Sequence, residues 1–480
     1  MNDQMILAQN AVYSMDSRET GLNNNVIVCG TSGCGKTMSV SEPLLLETYD
    51  KSLIATVTKR RLVHKYEQVF RARGYQVLDL NFINPGESTV SFDPMQYIQT
   101  DADITFLAES VISMQAGGKA RLCKDPYWDH AAVSLLSAEI AYVCEKRGSK
   151  ASFLDVLEMQ DSLEITGESS STIRTTLDEE FSKAKEQRDE DGSFRFAISC
   201  WESFARMPYK TASCIYGVLN TVLDSVFTPE LRQMFRKKKR LNFSKLARRK
   251  TVLFVSSSSV NPAIHGFINL FYAQAFKSLF EYAEKQPDGK LPIPVHMLCD
   301  DFATGGRIRS FPEYISIFRE KQISVTLLIQ SESQLIGMYG QRNATTIINN
   351  CDTYLYMGGM DLTTCRSISR RTNIPLEDVL YMPVGQAIVF RRGQRPLITE
   401  RYDILRDERY QAVTEAYEPD PEEQEADPSL TGDRKWPGDE EEEYPAAAAV
   451  GSTLEWVEYR NYLKELMQEY SSSRRGRKIG

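Results

Sequence analysis

A glycine-rich stretch near the start of the sequence has the residue types and spacing of a phosphate-binding loop. It reads Gly-Thr-Ser-Gly-Cys-Gly-Lys-Thr and follows the apolar run Val26–Cys29. Glycines let backbone N–H groups turn inward onto phosphate oxygens, the lysine reaches the β- and γ-phosphates, and the threonine hydroxyl can coordinate Mg²⁺. Pro43 lies in the helix that should follow, so we expect that helix to be short or kinked. The predicted phosphate-binding residues are Gly30, Thr31, Ser32, Gly33, Cys34, Gly35, Lys36 and Thr37.

A second apolar run, Val295–Cys299, ends in two adjacent acidic residues, Asp300 and Asp301. In phosphoryl-transfer sites one such carboxylate orients Mg²⁺ and the other polarises the attacking water. Many strands end in acidic residues, so this pattern becomes specific only together with the phosphate-binding loop. The next run, Val325–Ile329, ends in Gln330-Ser331, which places an amide where it can contact a γ-phosphate. The serine also fits a helix N-cap, and the two interpretations are compatible.

A parallel sheet must position these segments. Apolar runs recur along the chain with helical patterns between them, which predicts right-handed βαβ units and an α/β fold with a doubly wound, mostly parallel sheet. Between residues 101 and 250 the strand pattern stops and helical spacing replaces it. We therefore predict an inserted all-α domain, which explains why the acidic strand comes so late. The other predicted strands are Leu53–Val57, Val77–Leu80, Thr251–Val255, Tyr354–Met357 and Ala387–Phe390.

The predicted domain organisation has four segments. Residues 1–100 and 251–410 form the two parts of the nucleotide-binding domain, residues 101–250 form the insertion, and residues 411–480 form an acidic flexible tail. Acidic residues and proline dominate the tail from Glu418 to Tyr444, which predicts disorder. A capping-box pattern then predicts a terminal helix. The tail is either a solvated appendage with a docked helix or a partner-binding peptide.

Composition excludes several classes of protein. The chain has 480 residues, 42% hydrophobic, enough for a large core and two or three domains. Its nine cysteines have no C-x-x-C spacing and it has four histidines, so we expect cytoplasmic, reduced thiols and no structural zinc. The net charge of −8 argues against general attraction to nucleic acid but allows a local basic channel. No apolar run is long enough to span a membrane, and we read the longest, Ala131–Cys144, as a buried helix.

Several stretches, in the same serial order, resemble the conjugative type IV coupling proteins. These are "NNNVIVCGTSGCGKT", "GYQVLDLNFINP", "DPYWDHAA", "LCDDFATGGRI", "FREKQISVTLLIQSESQLIGMYG", "TIINNCDTYLYMGGMD" and "VGQAIVFRRGQRP". The resemblance implies a RecA-like P-loop NTPase that binds ATP and Mg²⁺ and hydrolyses ATP as a homo-hexameric ring. It also implies delivery of single-stranded DNA, bound to a relaxase or another relaxosome protein, to the channel subunits of a type IV secretion system.

The resemblance also implies roles for particular residues. Lys36 and Thr37 match the phosphate-binding and Mg²⁺-binding residues, and Asp300 matches the acid that orients Mg²⁺. Gln330 matches the γ-phosphate sensor. Arg319 occupies the position of an arginine finger that acts on the nucleotide of a neighbouring subunit, although a surface arginine on an amphipathic helix explains it equally well.

Three features depart from the family pattern. The second acid is Asp301 where the family has Glu, which withdraws the carboxylate by about 1 Å, and a displacement of that size can cost about 100-fold in rate. The strand after the loop helix ends in Val-Thr-Lys59, so only the lysine of the usual Asp-Pro-Lys-Gly turn persists. The N-terminal membrane helices of the family are missing, so we expect a cytoplasmic chain that reaches the inner face of the bacterial membrane through partners, which can include a separate membrane subunit.

Translocation of DNA requires basic side chains that contact phosphates. The densest basic cluster is at the end of the predicted insertion, and a solvated return linker explains it as well as a DNA contact does. Arg121 and Lys124 are weaker candidates. The leading hypothesis is an ATP-driven DNA-transfer motor, and the alternative is an ATP-gated receptor or adaptor for relaxase or protein cargo with weak hydrolysis. The candidate DNA-binding residues are Arg236, Lys237, Lys238, Lys239, Arg240, Arg248 and Arg249.

Overall fold

The apolar runs of the sequence form the strands of one nine-stranded sheet. The computed structural model describes residues 3–114, 126–168, 173–257, 262–302, 307–415 and 417. The acidic stretch and the terminal helix predicted after residue 418 lie outside these ranges. The strands are β1 (Gln4–Ala8), β2 (Ala11–Ser14), β3 (Val26–Cys29), β4 (Ser52–Val57), β5 (Gln76–Asn81), β6 (Ile165–Thr166), β7 (Arg174–Thr175), β8 (Thr251–Ser256), β9 (Val295–Cys299), β10 (Ile323–Ile329), β11 (Thr353–Tyr356), β12 (Gln386–Arg391) and β13 (Leu397–Glu400).

Helices connect most of these strands, and one π-helical turn, Thr37–Ser41, follows β3. The α-helices are α1 (Ser17–Thr20), α2 (Glu42–Leu46), α3 (Arg61–Ala72), α4 (Asp101–Met114), α5 (Pro126–Arg147), α6 (Phe153–Asp161), α7 (Asp178–Asp191), α8 (Arg195–Ala205), α9 (Tyr209–Val226), α10 (Pro229–Phe235), α11 (Phe243–Leu246), α12 (Pro262–Glu284), α13 (Phe311–Lys321), α14 (Glu332–Tyr339), α15 (Gln341–Asn349), α16 (Leu362–Thr372), α17 (Leu376–Leu380) and α18 (Glu408–Glu415). In the described ranges, no helix is both long and apolar enough to cross a membrane.

The sheet has the order β13-β12-β11-β3-β10-β9-β4-β8-β5. From β11 to β5 all neighbouring strands are parallel, which confirms the predicted α/β class with a mostly parallel sheet. The two strands at the other edge differ, because β12 pairs antiparallel with both β11 and β13. The expectation that Ala387–Phe390 forms a parallel strand was therefore wrong.

Both faces of the sheet are buried, in two separate cores. Along β3, Val26 and Val28 belong to the core that contains α2, α3 and the hairpin β1–β2. Ile27 and Cys29 point to the opposite face, into the core that contains the remaining long helices. This alternation follows from the period of two in a strand, and burial on both faces explains why the strand is apolar throughout.

The chain between β5 and β8 consists almost entirely of helices, α4 to α11. They pack on one another and on α12, which follows β8. The long helix α5 buries Glu139 completely, and burial raises the pKa of this carboxyl well above its ordinary range. The same segment contains the short antiparallel pair β6–β7, which the sequence patterns did not indicate. The limits of a separate domain at residues 101 and 250 remain a prediction.

A buried histidine in β9 links stability to pH. His296 places Nδ1 2.7 Å from Ser324 Oγ and Nε2 2.9 Å from Thr326 Oγ1. Burial lowers its pKa well below the ordinary value, and Lys51 acts in the same direction. The unfolded chain therefore takes up this proton first as the pH falls. We expect the contribution of His296 to the free energy of unfolding to decline below about pH 6.5, by up to about 1.4 kcal/mol per pH unit, measured by urea unfolding between pH 7.5 and 5.5.

The matched control for this prediction is the exposed His130. In His296→Gln the pH dependence should be shallower than in the wild type, whereas His130→Gln should keep the wild-type slope. Other titrating groups contribute equally to all three proteins, so the difference between slopes isolates His296. An unchanged slope in His296→Gln would mean that the buried imidazole is not the group responsible.

Candidate functional site

The glycine-rich loop begins where β3 ends and is held between the ends of two neighbouring strands. The Gly30 N–H donates to the Ile329 carbonyl at 3.2 Å, and the Thr31 N–H donates to the Gly358 carbonyl at 3.2 Å. Gly33 and Gly35 have φ angles of +78° and +91°, which favour glycine. Both the strand anchors and the glycine conformations therefore match the requirements of a phosphate-binding loop.

Lys36 lies against its own loop. Its Nζ donates to the carbonyl of Gly30 at 2.6 Å and to that of Thr31 at 3.0 Å. The residue is only 9% exposed. Within the described residues no carboxylate forms an ion pair with it, so its charge is not neutralised by a fixed partner. A buried ammonium group bound only by backbone carbonyls is suited to exchange one of them for a phosphate oxygen.

The helix after the loop is short, as Pro43 predicted. The chain makes the π-helical turn first, and α2 ends at Leu46. Glu42, at the start of α2, is buried and accepts hydrogen bonds from Tyr66 Oη at 2.8 Å and Lys65 Nζ at 3.2 Å. These bonds hold α2 against α3 and so fix the position of the helix that follows the loop.

The acidic pair lies at the same edge of the sheet as the loop. Only β10 separates β3 from β9, and adjacent strands are about 4.8 Å apart. In the parallel register Cys29 lies opposite Ile329, so β3 and β10 end together. Cys299 lies opposite Leu327, so β9 ends slightly earlier and the acidic pair that follows it lies level with the end of β10. The structure thus brings the loop and the acidic pair, distant in sequence, to neighbouring strand ends.

The charges of the loop and of the acidic pair also affect each other. Burial and the adjacent carboxylate of Asp301 raise the pKa of Asp300 to about 6, while the charges of Lys36 and Lys59 oppose that rise. Lys36 is therefore close enough to act on this carboxyl. Lys59 follows β4, so the charge of the lysine retained from the family turn also acts on Asp300.

The residues present fit a magnesium ion. A threonine hydroxyl and a carboxylate are the hard oxygen ligands that Mg²⁺ takes beside phosphate oxygens. Burial, and then the adjacent carboxylate of Asp301, raise the pKa of Asp300, and a cation beside these groups would stabilise the charged form. No cluster of three or more acidic, histidine or cysteine side chains in the described part of the chain could hold a metal by itself. A site built from Thr37 and Asp300 would therefore depend on the nucleotide for its other ligands.

Asp301 has an unusual backbone conformation. Its φ angle is +49°, and its N–H donates to Asp300 Oδ1 at 3.1 Å. Aspartate and asparagine tolerate this left-handed region better than residues with longer side chains do. The aspartate that stands where the resembling family has glutamate is thus suited to the backbone at this position.

The polar residue after β10 is exposed at the same edge. The Gln330 N–H donates to Gln334 Oε1 at 3.3 Å, and its own side chain has no partner in the described residues. Ser331 caps α14 by accepting a hydrogen bond from the Gln334 N–H at 3.1 Å, which confirms the predicted cap. The position of Gln330 is compatible with a sensor, a role that remains a prediction.

Comparison with known families decides the kinship of the chain. Residues 1–373 match the family model described as type IV secretory system conjugative DNA transfer. The chain belongs to this family. A comparison with curated protein sequences finds no significant match.

Solved structures of a conjugative coupling protein share the fold. The unbound monoclinic form of the bacterial protein TrwBdeltaN70 is 16% identical, with a TM-score of 0.59 over 83% of this chain and 88% of that chain. A TrwB complex with ADP and Mg²⁺ is 16% identical, with a TM-score of 0.53 over 79% of this chain and 85% of that chain. At this identity the likeness shows the fold alone, which is RecA-like.

The predicted arginine finger lies far from the loop of its own chain. Arg319 is exposed near the end of α13, just before β10 begins. It is therefore at the amino edge of the parallel sheet, whereas the loop and the acidic pair are at the carboxyl edge. Within one chain this member of the conjugative DNA-transfer family does not bring Arg319 to the candidate site. An action on a neighbouring subunit remains a prediction.

Part of the basic cluster makes structural contacts. Lys237 Nζ donates to the carbonyls of Gly86 at 2.6 Å and Ser88 at 2.5 Å. Arg240 donates to a backbone carbonyl at 3.3 Å, and Arg248 Nε donates to a tyrosine hydroxyl at 2.9 Å. These three side chains are therefore bound within the chain, and the choice between a solvated return linker and a DNA contact remains a prediction. Arg121 and Lys124 lie outside the described residues. The cluster members whose side chains have no partner in the described residues are Arg236, Lys238, Lys239 and Arg249.

Sequence reasoning missed one residue that contacts the loop. Arg401, just after β13, donates from Nη1 to the Cys34 carbonyl at 3.0 Å. It belongs to none of the motifs that indicated the site. No sequence pattern marked it, because it lies beyond residues 1–373 that match the family model and outside every quoted stretch.

Proposed function

We propose that the protein is an ATP-hydrolysing coupling protein that moves single-stranded DNA, or a relaxase–DNA complex, into a type IV secretion channel during conjugation. One observation carries the proposal: the phosphate-binding loop after β3 and the acidic pair after β9 meet at one edge of the sheet. Membership of the conjugative DNA-transfer family supports the direction of this chemistry towards DNA transfer. The complexes of TrwB with nucleotides and with Mg²⁺ support ATP and magnesium as the ligands.

In this proposal each residue of the site has a separate role in ATP binding or hydrolysis. The backbone N–H groups of the loop and Lys36 hold the phosphates, and Thr37 and Asp300 hold Mg²⁺. The metal, when bound, withdraws charge from the phosphate oxygens. Asp301 accepts the proton of the attacking water, and Gln330 contacts the γ-phosphate from the adjacent strand end.

A ring of subunits completes the proposal. Arg319 is exposed at the opposite edge of the sheet, so it can contribute to hydrolysis only on the nucleotide of another subunit. A charge supplied from a neighbour would make hydrolysis depend on assembly. We propose a homo-hexamer that works beside the channel subunits at the inner face of the membrane, with attachment through partners.

The direct test of this function is steady-state ATP hydrolysis with and without single-stranded DNA. We expect single-stranded DNA to raise the turnover number and high salt to suppress the stimulation, because phosphate contacts are released by salt. A double replacement of the exposed Lys238 and Lys239 by alanine should weaken the stimulation if the basic cluster contacts DNA. The matched control replaces Lys183 and Lys185, lysines of α7 that are paired with carboxylates. If single-stranded DNA does not change the ATP turnover of the wild type, the proposal of a DNA-transfer motor is contradicted.

The alternative, an ATP-gated receptor or adaptor for relaxase or protein cargo, is favoured by the shorter acid at position 301 and by the long C-terminal tail of the sequence. If the shorter side chain of Asp301 limits the rate of hydrolysis, Asp301→Glu should raise the turnover number. We expect no gain, because the left-handed backbone at this position disfavours glutamate. Single-turnover hydrolysis of the variant and the wild type measures the difference. A tenfold or larger gain would favour the receptor.

A further inference from the structure

We propose that Arg401 is a positioning residue that orients the N–H group of Gly35 towards bound phosphate. The inference rests on the proposed function, because it assigns a role within the same nucleotide site. It concerns a residue from the C-terminal part of the sheet that none of the site motifs contains.

The contact is a direct one to the loop backbone. Arg401 Nη1 donates to the carbonyl of Cys34 at 3.0 Å. A Cβ atom built on Gly35 would lie 2.9 Å from the same Nη1 and 3.6 Å from Cζ. The guanidinium group therefore packs on the peptide that joins Cys34 to Gly35, and a side chain at position 35 would displace it.

Because the peptide bond is planar, the hydrogen bond to the Cys34 carbonyl also fixes the direction of the Gly35 N–H. A trans peptide is planar, so its carbonyl and its N–H point in opposite directions. When Arg401 holds the Cys34 carbonyl on one side of the loop, the Gly35 N–H must face the other side. That N–H donates to no acceptor in the described part of the chain. It therefore remains available for an anion, as the N–H groups of a phosphate-binding loop must be.

The segment that carries Arg401 is fastened on both sides of the contact. The Arg401 N–H donates to the Gly385 carbonyl at 2.8 Å, next to the strand pair β12–β13. Farther along, Arg409 Nη2 lies 2.6 Å from Glu47 Oε1, beyond the end of α2. Lys65 of α3 lies 3.6 Å from the centre of the Tyr410 ring. Residues 401–410 thus form a strap, anchored to the sheet and to the helices behind the loop.

The hydrogen bond to the loop explains why an arginine suits position 401. Arg401 is half-buried, and the bond to Cys34 is the only hydrogen bond that its side chain forms in the described residues. The bond comes from a charged donor to a backbone carbonyl, a class that is stronger than a neutral hydrogen bond. Without it, the Cys34–Gly35 peptide loses a restraint and a bound phosphate must order it. The expected cost falls on nucleotide binding more than on the chemical step.

The test compares Arg401→Ala, Arg401→Lys and the control Arg406→Ala in the full chain. Arg406 lies on the same strap, its side chain is 81% exposed, and in the described ranges it forms an ion pair with Asp403 alone. The readouts are the dissociation constants of fluorescent ADP and of a fluorescent non-hydrolysable ATP analogue, measured well below the unfolding temperature of each variant. We expect Arg401→Ala to weaken both nucleotides by the same factor, about tenfold, with kcat nearly unchanged at saturating ATP. Arg401→Lys should recover part of the loss, and Arg406→Ala should match the wild type.

Two outcomes would overturn the inference. Wild-type affinity for both nucleotides in Arg401→Ala would mean that the contact does not matter for binding. A loss confined to the ATP analogue would mean that Arg401 acts on the γ-phosphate itself rather than on the loop. Failure of the proposed function is distinguishable from both, because in that case neither the wild type nor Lys36→Ala binds nucleotide, or both bind it equally.

Discussion

Replacing Lys36 by alanine is expected to reduce ATP turnover by at least about 100-fold, the usual effect of removing one preorganised donor from a site where charge develops. The ammonium group is buried, and among the described residues its hydrogen-bond partners are the carbonyls of Gly30 and Thr31. Alanine would leave those carbonyls facing the phosphates with no positive charge between them. Nucleotide affinity and turnover should therefore both fall, as measured by titration with a fluorescent ATP analogue and by phosphate release.

The matched control for Lys36→Ala is Lys183→Ala. Lys183 is an exposed lysine that pairs with Glu179 on the surface of α7. The control should keep wild-type affinity and turnover, and both variants should keep the unfolding temperature of the wild type within a few degrees. Normal turnover in Lys36→Ala would rule out hydrolysis at the loop.

Replacing Asp301 by asparagine is expected to reduce turnover by about 100-fold to 10,000-fold, the range for loss of a general base. Asparagine keeps the size of the side chain and also tolerates the left-handed backbone at this position. Affinity for ATP should not fall, because the change removes a negative charge from a site that binds an anion. A loss of kcat with retained affinity, measured in single-turnover experiments, is the expected signature.

The control for this prediction is Asp224→Asn, the same change at an exposed residue of α9. It should leave both parameters unchanged. If Asp301→Asn hydrolyses ATP at the wild-type rate, another group activates the water, and Asp301 has only a structural role in the turn after β9.

The central strands were predictable because burial on both faces leaves an uninterrupted apolar run. The predicted limits of Val26–Cys29 and Val295–Cys299 agree with β3 and β9 to the residue. The edge strand β13 gave no such run, because its residues are alternately half-buried and exposed. The direction of β12 could not be predicted either, since an apolar run looks the same in a parallel and an antiparallel strand.

Some features of the candidate site were also predictable from the sequence, and others were not. Lys36 and Thr37 could be identified because their motif is local, and Asp300 could be identified because it ends a recognisable strand. Two features were not predictable. The left-handed conformation of Asp301 belongs to one residue and leaves no pattern in the sequence. The contact of Arg401 with the loop joins positions 367 residues apart and depends on how the strand pair β12–β13 returns to the loop.

The most direct measurement is a crystal structure of the full chain with Mg²⁺ and a non-hydrolysable ATP analogue. We expect Lys36 Nζ within hydrogen-bond distance of the terminal phosphates, and the metal between Thr37 and Asp300, directly or through water. Lys36 and Asp300 would then act on one nucleotide, although they come from distant parts of the chain. A nucleotide bound elsewhere, or a metal at the loop with Asp300 turned away from it, would contradict the proposed motor.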